Sequence, residues 1–138
     1  MPVFPSSEWL AAYVELINAS PEYKQAGATW EGDLSYVIDA EPDKNVPDDT
    51  WLWMDLQHGE CRAAKVVTPA EGETAQYIIR APYTRWKEVL RGELDPVKGM
   101  MQGKLKLEGD LPTIIRDVKA ANELVNIAGR VPTEFPDE

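Results

Sequence analysis

The chain is poor in the residues that most often carry chemistry. It holds one cysteine and one histidine among 138 residues. A single cysteine excludes an internal disulfide. One of each falls short of a zinc site, which usually draws several Cys or His ligands. A nucleophile–base pair would have to use His58. That residue sits in QHG, which reads as a hairpin turn, where histidine tolerates unusual backbone angles. Cys61 lies three residues on. The two would flank a surface turn with nothing to exclude water.

Positive charge is also scarce. Fourteen Lys and Arg face 24 Asp and Glu, giving a net charge of −10 and a pI near 4.6. Such a surface repels phosphate backbones, so nucleic acid is not an expected partner. The same repulsion argues against tight peripheral binding to anionic membranes. No apolar run approaches the roughly 20 residues of a membrane span, so no stable membrane insertion is expected. The opening MPVFPSSEWL lacks the basic segment and apolar stretch of a signal peptide. A cytoplasmic location is the expectation.

Motifs for phosphate and calcium are missing too. GELDPVKG and GMMQGKLKLEG contain neither GxxxxGKS/T nor GxGxxG. EPDKNVPDDT lacks the central glycine of a calcium loop and is interrupted by prolines. Glu31 and Asp33 share one face of a predicted strand and could in principle act as acid and base. They read better as that strand's solvent face. No catalytic residue, no metal ligand and no cofactor is assigned, and the chain is not expected to be an enzyme.

What is present is apolar material. Hydrophobic residues make up 43%, with five Trp and five Tyr, which argues against disorder. The length suits one domain over residues 1–138, able to bury roughly 68% of the surface of its unfolded chain. A helix is predicted over Ser6 to Asn18, with Trp9, Tyr13 and Ile17 on one stripe widened by Leu10 and Val14. Ser20 and Pro21 open a short second helix that ends at Gly27. Trp30, Leu34, Tyr36 and Ile38 share one parity of a strand. EPDKNVPDD is a loop. Thr50 to Leu56 and Cys61 to Val67 form a hairpin. TPAEGET is a loop, and Ala75 to Ala81 a fourth strand.

A helix over Pro82 to Arg91 follows, stopped by Gly92. Asp95 and Pro96 cap a short turn ending by Gly103. Lys104 to Glu108 alternates as a fifth strand. Asp110 opens one last helix with the stripe Leu111, Ile114, Ile115, Val118, Ala121 and Val125, ended by Gly129. The tail RVPTEFPDE, 130–138, reads as a surface strap. The order is α, three strands, a fourth strand, α, a fifth strand, α. Early hairpins imply an α+β fold, with an antiparallel or mixed sheet and helices over one face.

WKEVLRGELDPVKGMMQGKLKLEGDLPTIIR resembles the ending characteristic of the sterol carrier (non-specific lipid-transfer) family, QGKLKLEG being its specific core. WLWMDLQHGECRAAK is similar to that family's hairpin, a Trp-initiated strand leading through a glycine turn into its partner. The resemblance runs from about Thr29 to Leu124. It implies a mixed five-stranded sheet with helices on one side and an apolar tunnel between them. It implies non-catalytic uptake of sterols, fatty acids, acyl-CoA or other lipids. It places the pair before QGKLK, here Met100 and Met101, near the tunnel, and the Gln102 amide near the ligand. The charge of −10, Pro112 and the tail depart from the family's common pattern.

Parity and stripe then give the expected cavity wall: Leu34, Tyr36, Trp53, Ile79, Trp86, Leu90, Met100, Met101, Leu105, Ile114, Ile115 and Val118. The expected partner is a lipid or other hydrophobic small molecule. Two other readings stand beside it. One is an interaction module that presents such a ligand to a partner enzyme. The other is a small enzyme using carboxylates or His58 in the same cavity.

Overall fold

The computed structural model describes all 138 residues. Ser6 starts the first helix, α1 (Ser7–Ala19), by accepting the Trp9 N–H on its hydroxyl at 3.0 Å. Trp9, Leu10, Tyr13 and Ile17 form its buried stripe. Ser20 caps α2 (Pro21–Ala26) in the same way, on the Tyr23 N–H at 3.1 Å, with Pro21 in the first turn.

Three antiparallel strands follow: β1 (Glu31–Asp39), β2 (Thr50–Gln57) and β3 (Glu60–Val67). The turn between β2 and β3 places His58 and Gly59 at φ 51° and 79°, so both central residues are left-handed. A Cβ at Gly59 would press into the Lys24 backbone, so the turn also needs glycine for space. The chain continues through α3 (Pro69–Gly72), β4 (Tyr77–Pro82), α4 (Tyr83–Leu90), α5 (Pro96–Met101), β5 (Lys106–Glu108), α6 (Leu111–Arg116) and α7 (Val118–Arg130). The sheet order is β3-β2-β1-β4-β5. β4 lies parallel to β1, and β5 antiparallel to β4, so the sheet is mixed.

One face of the sheet carries Leu34, Tyr36, Leu52, Met54, Leu56, Tyr77 and Ile79 into the main core, where α1, α2 and α4 to α7 pack. The other face buries a small apolar cluster, Val37, Trp51, Ala75 and Ile78, with Trp53 and Val67 against it, and Ser35, whose hydroxyl donates to the Gly72 carbonyl at 2.9 Å. α3 closes that small cluster. TPAEGET, expected as a loop, forms this helical turn because Thr68 and Glu71 make a capping box. Gly72 has no room for a side chain, since a Cβ would collide with the Trp51 ring.

Two further expectations are corrected. The last helix is not continuous. Asp117, at φ −103° and ψ 35°, breaks it into α6 and α7. β5 is shorter than Lys104 to Glu108, because the Lys104 and Leu105 N–H groups donate to the Gly99 carbonyl at 2.8 and 3.1 Å. Those two residues finish the α5 turn rather than the sheet.

The tail after α7 runs back over the surface. Val131 is buried, and Glu134 bridges in parallel to Val3. Phe135 lies beneath the cations of Lys87 and Arg91, at 5.2 and 5.1 Å from its ring centre. Asp137 accepts from the Tyr83 hydroxyl at 2.7 Å and from Lys87 Nζ at 2.9 Å, and Glu138 takes Lys87 at 2.8 Å and Arg91.

Candidate functional site

The sheet and helices do not close completely on each other. A cavity of about 650 Å³, counting its open mouth, lies between β1, β4 and the helices α2, α4, α5, α6 and α7. It is narrow: the centre of a water-sized sphere can reach only about 50 Å³ of it. Sixteen of its 18 lining residues are hydrophobic, and its accessible wall is apolar throughout. Such a space favours apolar matter over water.

The floor comes from strand parity. Leu34 and Tyr36 of β1, Leu56 of β2, and Tyr77 and Ile79 of β4 all point to the helical side. Trp86 and Val89 come from α4, and the Trp86 indole donates to the Val37 carbonyl at 2.9 Å, fixing the ring. Pro96 and Met100 come from α5, Leu105 from the turn after it, and Ile114 from α6. α7 contributes Ala120, Ala121, Leu124 and Val125, and the junction contributes Asp117. Trp30, Met100, Asp117, Ala121 and Val125 are half-buried, which places the mouth along the α5 and α6–α7 side.

Of the expected wall, Leu34, Tyr36, Ile79, Trp86, Met100, Leu105 and Ile114 line this cavity. The others do not. Trp53 alternates with Leu52 and Met54 and so lies on the opposite face, its indole donating to Asp33 at 2.9 Å. Leu90 borders a small separate void beside Phe4 and Trp9. Val118 is half-buried against the core but outside the lining. Met101 is 65% exposed and Ile115 44% exposed. Each follows a cavity residue by one step on a helix, and one step turns the side chain by roughly 100°. Gln102 is exposed and ends α5.

Sequence reasoning missed Tyr23, Trp30, Leu56, Tyr77, Val89, Pro96, Asp117, Ala120, Ala121, Leu124 and Val125 as cavity wall. Tyr77 was available from its parity with Ile79, whereas Trp53, of the other parity, reads as the inward residue of β2 and hides Leu56. Ala120 and Leu124 were hidden by the break at Asp117, which resets the phase of the stripe.

The buried phenols Tyr23 and Tyr36 in the wall stay neutral. Burial pushes the Tyr36 phenol up to about 12, and raises Tyr23 further. Tyr13, behind the wall, is raised by burial and by Tyr36, and its hydroxyl donates to the Leu124 carbonyl at 2.9 Å. Cys61 is buried and its thiol is pushed up to about 11 by burial, so it is a poor nucleophile. His58 does not meet it. The imidazole is exposed and its Nε2 lies 2.7 Å from Glu31. Asp33 accepts from Trp53 and from the Gln76 N–H at 2.8 Å, so it is not paired with Glu31 for acid–base work. No three His, Cys, Asp or Glu side chains converge as a metal site. No helix is long and apolar enough to cross a membrane.

The comparisons with known proteins agree with this geometry. The model of the SCP-2 sterol transfer family matches residues 14–116. The crystal structure of a sterol carrier protein 2 is similar at 38% identity and TM-score 0.82, covering 91% of this chain and 97% of that one. A solution structure of a conserved hypothetical protein from Thermus thermophilus, described as a possible sterol carrier protein, is similar at 37% identity and TM-score 0.82. That match covers 94% of this chain and 90% of the other. Sterol carrier protein 2 from Yarrowia lipolytica shares the fold at 13% identity and TM-score 0.61, over 94% and 96% of the two chains. No curated protein sequence matches.

Proposed function

The chain belongs to the SCP-2 sterol transfer family, and we propose that it binds, and passes on, a lipid or other hydrophobic small molecule held in the cavity between sheet and helices. The observation that carries this reading is the cavity wall itself, apolar at every accessible point. Burial of ligand hydrocarbon there contributes roughly 25 cal/mol per Å² before ordering costs are subtracted. The ligand must also part the wall, because the space is narrow as it stands. Among the helices that line it, α2, α5 and α6 are the shortest, six residues each, and draw least on structure of their own.

The ligand's polar end has no accessible polar wall to meet inside. It therefore stays at the mouth, and the tail or ring system enters first. Sterols, fatty acids and acyl-CoA all meet that requirement.

Native mass spectrometry of the purified protein, followed by solvent extraction, tests the reading. The expected result is a discrete adduct that extracts as a lipid, or one that forms on incubation with sterols, fatty acids or acyl-CoA. A bare protein mass that persists after all three incubations would overturn it.

A further inference from the structure

The space between sheet and helices does not end at the back of the main cavity. A second void, of about 260 Å³ counting its openings, lies between α1, α4, α7 and Phe4. All nine of its lining residues are hydrophobic. Phe4, Trp9, Tyr13, Leu90 and Ala128 belong to this void and not to the main cavity. Tyr36, Trp86, Val89 and Val125 line both. A single layer of side chains therefore separates the two spaces.

The members of that layer are not held equally. The Trp86 indole is fixed by the Val37 carbonyl at 2.9 Å. Val89 and Val125 are β-branched residues on helices, where one χ1 rotamer dominates. Tyr36 is held least. Its hydroxyl lies 3.4 Å from that of Tyr13, longer than the roughly 2.7–2.8 Å usual between hydroxyls. Tyr13 in turn donates its own proton to the Leu124 carbonyl at 2.9 Å.

The far side of the void is a firm stop. A Cβ at Gly129 would come to 2.9 Å from the Leu90 carbonyl oxygen, so α4 and α7 touch where Leu90 and Ala128 sit. The tail adds to this by tying Lys87 of α4 to Asp137 and Glu138. A loosely held partition with a fixed end behind it is the geometry of a length gauge. The opening between four side chains suits one hydrocarbon chain and not a fused ring system. Both sides of it are apolar, so a chain that passes gains burial without stranding a polar group.

We propose that the void beside Phe4, Trp9 and Leu90 is the terminal subsite of the lipid cavity. It takes the far end of a long hydrocarbon chain past the Tyr36 ring, and Leu90 and Ala128 set the longest chain that fits. This rests on the lipid-cavity reading, in which the tail enters first, and it names the ligand as a single-chain lipid of the acyl or alkyl type.

The test is a series of straight-chain fatty acids, octanoate to eicosanoate, titrated against pyrene bound in the cavity. The head is the same throughout, so the protein's charge cancels from the comparison. In the parent protein affinity should rise by up to about 4-fold per added methylene and then level off. Ala128→Leu fills the void. It should move the plateau to shorter chains, with a loss on the order of 10-fold or more for the longest. Leu90→Ala deepens the void and should move the plateau to longer chains. The two variants act in opposite directions, so either one decides if urea unfolding shows that the other does not fold. Pyrene, a rigid fluorophore too broad to pass the partition, should bind all three proteins alike. A plateau at the same chain length in every protein, with chains and pyrene still bound, would overturn the subsite alone. Binding of pyrene but of no chain would also overturn the subsite and leave an apolar cavity. Failure of both pyrene and every chain to bind would overturn the subsite and the cavity reading together.

Discussion

The two ends of the helical layer are built on different terms. At one end, the tail after α7 is tied to α4. Lys87 is 14% exposed and meets both Asp137 and Glu138, Tyr83 donates to Asp137, and Arg91 meets Glu138. Trp9, Phe4, Tyr13 and Tyr83 pack beside this latch in ring contacts of 4.8 to 6.3 Å. At the other end, α5 and α6 are six residues each, separated by a three-residue edge strand. Their outer side chains reach no carboxylate except through Arg116. The first region uses its charges to hold the chain together. The second leaves Lys98, Lys104 and Lys119 without a carboxylate partner and Met101 and Ile115 exposed. A protein that must open to admit a ligand needs both: a frame that keeps the sheet and α7 in place, and a wall that yields.

The largest difference should appear in amide hydrogen exchange. The N–H groups of Tyr36 and Val37, in the central strand β1, exchange only on global unfolding. Those in α5 and α6 open locally, and should exchange about 100-fold faster or more under the same conditions. Equal protection in the two regions would mean that the wall is part of the frame. Addition of a bound lipid should narrow the gap, because a filled cavity ties α5 and α6 to the sheet.

The latch gives the next largest effect. Lys87→Ala removes a mostly buried cation and leaves Asp137 without its charge partner. It should cost about 2 kcal/mol in urea unfolding, between the values of an exposed and a buried pair. Burial opposes the charge on Asp137, but the Tyr83 hydroxyl and Lys87 outweigh it and hold the carboxyl below its usual value. Hydrogen bonding to Lys87 lowers Glu138 likewise. A depressed folded-state pKa gives stability that is present above the unfolded value near ~4 and is lost as pH falls through the folded one. Lys87 is opposed by burial too, yet raised by Glu138 and Asp137. Its share is present below the unfolded value near ~10.4 and lost as pH rises through the folded one. The Lys87→Ala variant should therefore differ from the parent least at both pH extremes. A constant difference across pH would sink the latch.

Much of this frame was legible beforehand, and the reason is local. Caps such as Ser6 and Ser20, the parity of Leu34, Tyr36 and Ile38, and the glycine turn after His58 are decided by neighbours within a few residues. The QGKLKLEG ending added the family and its topology. What was hidden depends on long-range contacts. Lys104 and Leu105 read as strand because they alternate, yet Gly99 takes their N–H groups. Ile115 and Val118 read as one stripe with Ile114 until Asp117 breaks the helix. Trp53 looked like wall because β2 is apolar on both parities, and only the packing of α3 shows that the second face has its own small core.

The smallest effects come from the two adjacent methionines, and they test the wall at single-residue resolution. Met100 is half-buried and lines the cavity, whereas Met101 is 65% exposed. Met100→Ala enlarges a space that is meant to be filled, so stability should fall by only about 1 kcal/mol, below the usual ~2–5 kcal/mol for a buried methionine. Its main effect should be on cavity binding. Lost contact with the ligand should lower affinity for a bound lipid by several-fold, on the order of 1 kcal/mol. Met101→Ala should change neither quantity beyond about 0.5 kcal/mol. Fluorescence titration with a lipid probe, alongside urea unfolding of both variants, separates them. If the two substitutions weaken cavity binding equally, α5 must rotate on ligand entry so that both side chains reach the ligand, and the wall moves further than its resting geometry requires.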